Sequence, residues 1–287
     1  KYKIKNSEYE LIVDKTLPKE WPYAVACIVK NLDLNDAKIK EIIEIQEKLG
    51  TTFLRNRKKG GIGLYPLENI KFPVTFKGMD PDKIKFRPLE YPKEITGREI
   101  LSKHPTGKAY AHICQNWKVF PVFIDNEGKL MSMPPIINSH DLGKINETTK
   151  NVFVEATGTD YNTIKKALNI IITALAEMGG VIYSIECIQQ NKEKENIPNL
   201  KPETIKISLE KTNKLLGLNL KESDLQKLLP KMEYNYKKGK VEITPWRTDI
   251  LHEVDVIEDI AIAYGYNALV PEIPKISTIA QVECDSI

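Results

Sequence analysis

Cysteine is sparse and scattered. The four, Cys27, Cys114, Cys187 and Cys284, lie far apart and none belongs to a CxxC pair. That spacing argues against a zinc site or a disulfide framework and fits a reducing, cytoplasmic setting. Long apolar runs are also missing. None approaches the roughly 20 residues that a membrane helix needs, so no membrane association is expected. Neither sign of charge dominates: 42 Lys and Arg face 39 Asp and Glu, a net +3 that does not by itself indicate nucleic-acid binding. The chain opens "KYKIKNSEYE", without an initiator Met or an apolar leader core, and ends abruptly at "QVECDSI", so it reads as a piece of a longer protein. There is no internal repeat and no low-complexity tract. What remains is ordinary for a globular chain: 41% hydrophobic and 28% charged residues over 287 positions, enough for about two domains.

The first part alternates strand and helix patterns. "EYELIVD" and "YAVACIVKNL" read as strands, and "NDAKIKEIIEIQEKL" as a helix with Ile39, Ile42, Ile43, Ile45 and Leu49 on roughly one face, capped by Asn35 or Asp36. A basic, glycine-ended loop, "RNRKKGG", follows; its charges, on Arg55, Arg57, Lys58 and Lys59, are read first as solvated and second as contacts to a nucleic-acid backbone. Thr96 and Glu99 stand at capping-box spacing and predict a short helix. "VFPVFIDNEGKLMSM" predicts a hairpin turning at Asn126 to Gly128. "NVFVEATG" is a strand, "YNTIKKALNIIITALAEM" is the clearest helix, stopped by Gly179 and Gly180, and "VIYSIECIQ" is a further strand.

The charged stretch at 189–202 shows no periodicity and marks a boundary. Beyond it come a strand "TIKISL", helices "EKTNKLLG" and "KESDLQKLLPKM", a hairpin "YNYKKGKVEITP" and an acidic helix. The predicted class is α+β: a mixed α/β domain over 1–190, a linker at 191–200, a small winged-helix-like domain over 201–275, and the start of a connection at 276–287.

If 253–264 is helical, Asp255, Glu258 and Asp259 stand at i, i+3 and i+4 on one face, with Asp249 able to fold back towards them. Val254, Ile257, Ala261 and Tyr264 form the predicted buried stripe. The acids are either a solvated face, with the first of them complementing the helix dipole, or a hard-cation site. A second polar cluster lies in "GKLMSMPPIINS", where Ser132 and Asn138 flank two prolines. Glu155 stands in an otherwise apolar strand and needs a partner or a role if that strand is central. His112 in "YAHICQ" is a candidate proton carrier, although a lone His among apolar residues is more often structural.

"TPWRTDILHEVDVIEDIAIAYGYN", together with "SMPPIIN", "NVFVEATGTD" and the "PVF" preceding Ile124 and Asp125, resembles the β subunit of phenylalanyl-tRNA synthetase of the archaeal and eukaryotic type. The resemblance covers most of the chain and is looser in the first 90 or so residues, where only "GGIG" and "KFRPL" match. It implies that the first domain is an editing domain, which hydrolyses tyrosine wrongly attached to tRNA(Phe). It also implies that Asp249, Asp255, Glu258 and Asp259 hold a Mg²⁺ shared with the α subunit. ATP and phenylalanine would bind in the α subunit, and the full enzyme would be an (αβ)₂ tetramer. On this basis Ser132, Asn138 and Glu155 are the catalytic candidates. Phe123, His112 and Thr157 are the substrate-binding candidates. No Ser-His-Asp order stands out, so water attack organised by polar groups and a tRNA ribose hydroxyl is expected rather than a covalent intermediate. The competing readings are a non-catalytic RNA-binding and assembly module, and a Mg²⁺ hydrolase built on the acidic helix, which lacks a companion nucleophile or phosphate loop.

Overall fold

A computed structural model of the chain describes residues 2–271. The described residues divide into two units, one of 2–202 with 244–248, the other of 203–243 with 249–271. The first unit holds strands β1 (Ile4–Lys5), β2 (Glu10–Val13), β3 (Tyr23–Lys30), β4 (Gly60–Pro66), β5 (Val74–Met79), β6 (Lys85–Phe86), β7 (Ile95–Thr96), β8 (Phe120–Ile124), β9 (Leu130–Met133), β10 (Ile137–Asn138), β11 (Val152–Gly158), β12 (Val181–Ile188) and β13 (Lys194–Ile197). Its helices are α1 (Asp36–Thr51), α2 (Gly97–Lys103), α3 (Pro105–Cys114), α4 (His140–Gly143) and α5 (Tyr161–Glu177). No helix among the described residues is long and apolar enough to cross a membrane.

One mixed sheet runs β10-β9-β8-β5-β2-β12-β3-β11-β4, with β1 and β13 also on β12. β3 and β11 read as continuous apolar runs because both of their faces are covered; every residue of β11 is buried. One cover is α5, whose buried Ile164, Ala167, Leu168, Ile171, Ile172 and Leu175 recur at helical spacing. Asp160 caps its first turn through the Thr163 amide, and Gly179, at φ 104°, takes the chain away where a side chain would be strained. Asn35 caps α1, and Thr96 with Glu99 forms the expected capping box on α2. The predicted linker is different: Lys194–Ile197 is β13, antiparallel on β12, with Ile197 buried. Charge on an edge strand's outer positions had hidden its pairing.

In the second unit β14 (Glu203–Lys206), β16 (Lys240–Ile243) and β15 (Asn235–Lys237) pair in that order, beside α6 (Leu209–Leu216), α7 (Glu222–Leu228) and α8 (Glu253–Tyr264). Gly217, left-handed at φ 66°, ends α6. Leu225, Leu229, Val241, Val256 and Ile260 make its core. α8 has the expected bounds, and its buried face shares Ile257 and Ala261 with the expected stripe but is rotated away from Val254 and Tyr264. Val256, Ile257, Ile260 and Ala261 are buried, whereas Val254 and Tyr264 are exposed. Apolar residues line most of this helix, so its own periodicity does not select the inward side; the neighbouring core does. The sequence reading of residues 272–287, including Cys284 and the connection at 276–287, lies outside the described residues.

Candidate functional site

β11 brings Glu155 into the sheet between Ala26 of β3 and Gly63 of β4. Alternation puts Phe153, Glu155 and Thr157 on one face. On β4 the same face carries Tyr65, whose ring packs on Phe153 at 5.8 Å between centroids. That packing sends the phenol towards three side chains. Tyr65 Oη lies 2.8 Å from Ser132 Oγ, 3.2 Å from Asn138 Oδ1 and 3.2 Å from Glu155 Oε1. Ser132 and Asn138 face each other across the β9–β10 turn made by Pro134 and Pro135. Asn138 Nδ2 donates to the Leu64 carbonyl at 3.3 Å, which tethers this hairpin to β4. The three candidates named from sequence thus meet at a hydroxyl that sequence reasoning did not single out.

Gly63 makes the meeting possible. A Cβ there would lie 2.3 Å from Glu155 Oε1 and 2.6 Å from Tyr65 Oη. The available signal was the run "GGIGLYP", since glycine inside a strand marks a close approach.

Burial pushes the Glu155 carboxyl up to about 8, against the downward pull of the Tyr65 hydrogen bond. The Tyr65 phenol is also driven well above its ordinary value, first by burial and then by the neighbouring Glu155. Both groups are therefore largely neutral at pH 7. The Tyr65 hydroxyl donates to Glu155 Oε1, a bond that favours the charged carboxylate while burial opposes it. Glu155 Oε2 and Thr157 Oγ1 are buried without a hydrogen-bond partner among the described residues. Tyr65→Phe removes the donor that holds Glu155 down. The Glu155 carboxyl, followed by carbon-13 NMR, is expected to titrate above its wild-type midpoint; an unmoved midpoint would show that the bond is not made in solution.

Glu155 and Asn138 open onto a cleft of about 480 Å³, within the usual range for small-ligand sites. Ile39, Ile42 and Ile43 of α1 form one wall, and the turn from Pro134 to Ile137 another. Phe123 is not on these walls. It is fully buried behind Ser132, stacked on Phe76 at 4.6 Å, because its strand β8 lies inside the sheet. His112 is exposed on α3 and does not line the cleft. Thr157 is buried two residues beyond Glu155 and likewise stands off the cleft wall.

In the basic loop Arg55 and Lys58 are exposed, as read from sequence, and Arg57 departs from that reading. Arg55, Asn56 and Arg57 are left-handed, with φ of 51°, 53° and 60°. The turn drives Arg57 inward. Its Nη1 donates to the carbonyls of Pro135 (3.1 Å) and Ile136 (3.0 Å), and its guanidinium lies 4.3 Å from the Tyr110 ring centroid. Arg57 lines the cleft, and burial lowers the pKa of its guanidinium.

The acids of α8 have separate tasks. Asp255 Oδ2 accepts from the amides of Leu251 and His252, both at 2.7 Å, and these bonds hold its carboxyl below the ordinary range. Asp259 is buried and accepts from the Tyr234 hydroxyl. Glu258 is exposed, and Asp249 lies near enough to Asp255 for their charges to repel. Among the described residues no three His, Cys, Asp or Glu are grouped to hold a metal ion.

Residues 205–266 match the family described as tRNA synthetase B5 domain. Over 281 residues the chain is 39% identical to the phenylalanine–tRNA ligase beta subunit of Thermococcus kodakarensis, covering 96% of this chain and 49% of that protein. The corresponding subunit of Methanosphaera stadtmanae is 35% identical over 284 residues, covering 97% and 51%. The chain thus spans about half the length of the curated relatives it matches. A crystal structure of an N-terminal fragment of the phenylalanyl-tRNA synthetase beta-subunit from Pyrococcus horikoshii superposes with a TM-score of 0.87 at 38% identity, covering 93% of this chain and 77% of that one. Agreement in sequence and in fold over nearly the whole chain places it in the phenylalanyl-tRNA synthetase β-subunit family.

Proposed function

We propose that this chain is the editing portion of a phenylalanine–tRNA ligase β subunit and that its cleft hydrolyses tyrosine mischarged on tRNA(Phe). The observation that carries this reading is Glu155, buried at the cleft with Oε2 unpartnered and Oε1 joined through Tyr65 to Ser132 and Asn138. A pocket shaped for phenylalanine rejects an added hydroxyl by only about 10²-fold, short of the roughly 10⁴ that translation needs. A second site discriminates in the opposite sense by welcoming that hydroxyl. The phenol of a bound tyrosyl group satisfies Oε2; a phenylalanyl group leaves it orphaned, at a cost of about 1–3 kcal/mol.

In the reaction, water adds to the ester carbonyl carbon, the bond from that carbon to the ribose oxygen breaks, and the proton lost by water ends on the ribose oxygen. Asn138 lines the cleft and holds the ester and the attacking water, while Ser132, buried and off the cleft wall, acts through the Tyr65 hydroxyl that it shares with Asn138. A hydroxyl of the tRNA ribose assists as a further polar group. His112, outside the cleft, takes no part.

The whole enzyme in this reading is an (αβ)₂ assembly that uses ATP at the α subunit, with tRNA(Phe) bound across both. The second unit serves assembly, since Leu251, Val254, Ile262 and Tyr266 leave an apolar surface for an α subunit to cover. The acids of α8 do not fit a magnesium ion by themselves. Asp255 is spent on backbone amides and Asp259 on Tyr234, and no step is routed through the metal.

The test is release of amino acid from tyrosyl-tRNA(Phe) and phenylalanyl-tRNA(Phe), by the chain and by the full α/β enzyme. Tyrosine is expected to leave faster, and Glu155→Ala to reduce the preference by about 5- to 100-fold. Ser132→Ala is expected to slow both. An unchanged ratio in Glu155→Ala, or no release even by the full enzyme, would sink the assignment.

A further inference from the structure

Two cations stand on the wall of the cleft, and they differ in how their charge is met. Lys144 is paired with Glu90 at 3.2 Å. Arg57 has no carboxylate within ion-pair distance among the described residues. Its hydrogen bonds go from Nη1 alone to two neutral carbonyls, and its stacking partner is Tyr110. Glu47 is near enough to favour the charge but does not bond it. Buried charges are ordinarily paired, because an uncompensated one loses its hydration without return. Here a mostly buried guanidinium, fixed by its own turn and by Tyr110, keeps Nε and Nη2 unspent beside the cleft that Glu155 and Asn138 share.

We propose that Arg57 is the phosphate-binding point of this cleft and takes the phosphate on the 5′ side of the substrate's terminal nucleoside. The inference rests on the ester-hydrolysis reading above and names the second half of the substrate. In an aminoacyl ester the amino acid's carboxylate has been consumed. The amino group is a cation, and the fixed negative charge of the terminal nucleotide is its 5′ phosphate. A planar guanidinium with two free donors matches phosphate oxygens as a fork, which a lysine does not. The cleft is thereby divided by chemistry: Glu155 and the Tyr65 network meet the aminoacyl end, the α1 isoleucines give an apolar wall to the nucleoside, and Arg57 anchors the phosphate.

The test uses the intact chain and two amide analogues that cannot hydrolyse, 3′-tyrosylamino-3′-deoxyadenosine with and without a 5′ phosphate, titrated by calorimetry. Wild type is expected to bind the phosphorylated analogue about tenfold or more tightly, the size of a charge-assisted contact. In Arg57→Met this ratio is expected to fall to near one, and in Arg57→Lys to an intermediate value. Because each protein is compared with itself, a general loss of stability does not mimic the result. Equal affinities in wild type, or a ratio retained in Arg57→Met, overturn the phosphate assignment alone. Failure of wild type to bind either analogue overturns both this assignment and the ester-hydrolysis reading beneath it.

Discussion

Glu155→Gln is expected to abolish a fall in stability that the wild type shows between pH 5 and pH 8. The wild-type native state keeps the Glu155 proton up to about 8, whereas the unfolded chain releases it near the ordinary 4.5. Between those values the native state binds one proton more than the unfolded state, so stability decreases as pH rises. It is full below pH 4.5, declines through neutrality and levels off above about 8. The gap corresponds to a free-energy change on the order of 5 kcal/mol, a large share of the stability of a typical domain. Glutamine has no proton to lose, and its amide mimics the neutral carboxyl in shape. Urea unfolding of both proteins at pH 5, 7 and 9 measures the effect. The variant's curves should move least and should lie at higher stability above pH 8. Parallel curves for the two proteins would mean that Glu155 ionises normally, and the neutral hydrogen-bond network around Tyr65 would have to be redrawn.

Gly63→Ala is expected to break the same network from the opposite side. The new methyl group would stand 2.3 Å from Glu155 Oε1 and 2.6 Å from Tyr65 Oη, well inside contact distance. Either the carboxyl and phenol move apart or β4 moves off β11. Overpacking of this kind costs about 1–3 kcal/mol, and the separation of Tyr65 from Ser132 and Asn138 should remove ester hydrolysis as well. Gly61→Ala is the matched comparison. It lies two residues earlier on the same strand face, and its Cβ would meet only Pro135, at 3.4 Å. Its loss of stability should be clearly smaller. If thermal unfolding shifts equally in both variants, β4 is sensitive to any side chain and the close approach at Gly63 is not special.

Much of the local structure was legible before any fold was known. The Asn35 cap, the Thr96–Glu99 box, the glycine stop after α5 and the hairpin around Gly128 depend on residues only a few positions apart. Such signals act within one or two turns of chain, so they survive whatever the chain packs against. Glu155 could be picked out because a carboxyl in an apolar central strand needs a reason, whereas Ser132 and Asn138 read by themselves as turn residues and became candidates through the family resemblance of the motif around them.

The rest was decided by distant pairing. Tyr65 lies 67 residues before Ser132 and 90 before Glu155, and only the β4–β11 register carries its hydroxyl to them. Arg57 sits in a run of basic residues that reads as solvated; three consecutive left-handed residues turn it into the cleft. Asp255 and Asp259 share a helix face in sequence, yet one is taken by amides preceding α8 and the other by Tyr234. Periodicity and capping follow from bonds between near neighbours, so sequence alone determined where the capped helices and the most apolar strands lie and that Glu155 was out of place; β4 and β13, whose pairing is long-range, were not legible in it. Which polar atoms meet, which charge is left unpaired and which face of α8 is buried depend on contacts between elements far apart in the chain. The tertiary structure alone supplies those, because burial and hydrogen-bond partners are properties of the packed arrangement.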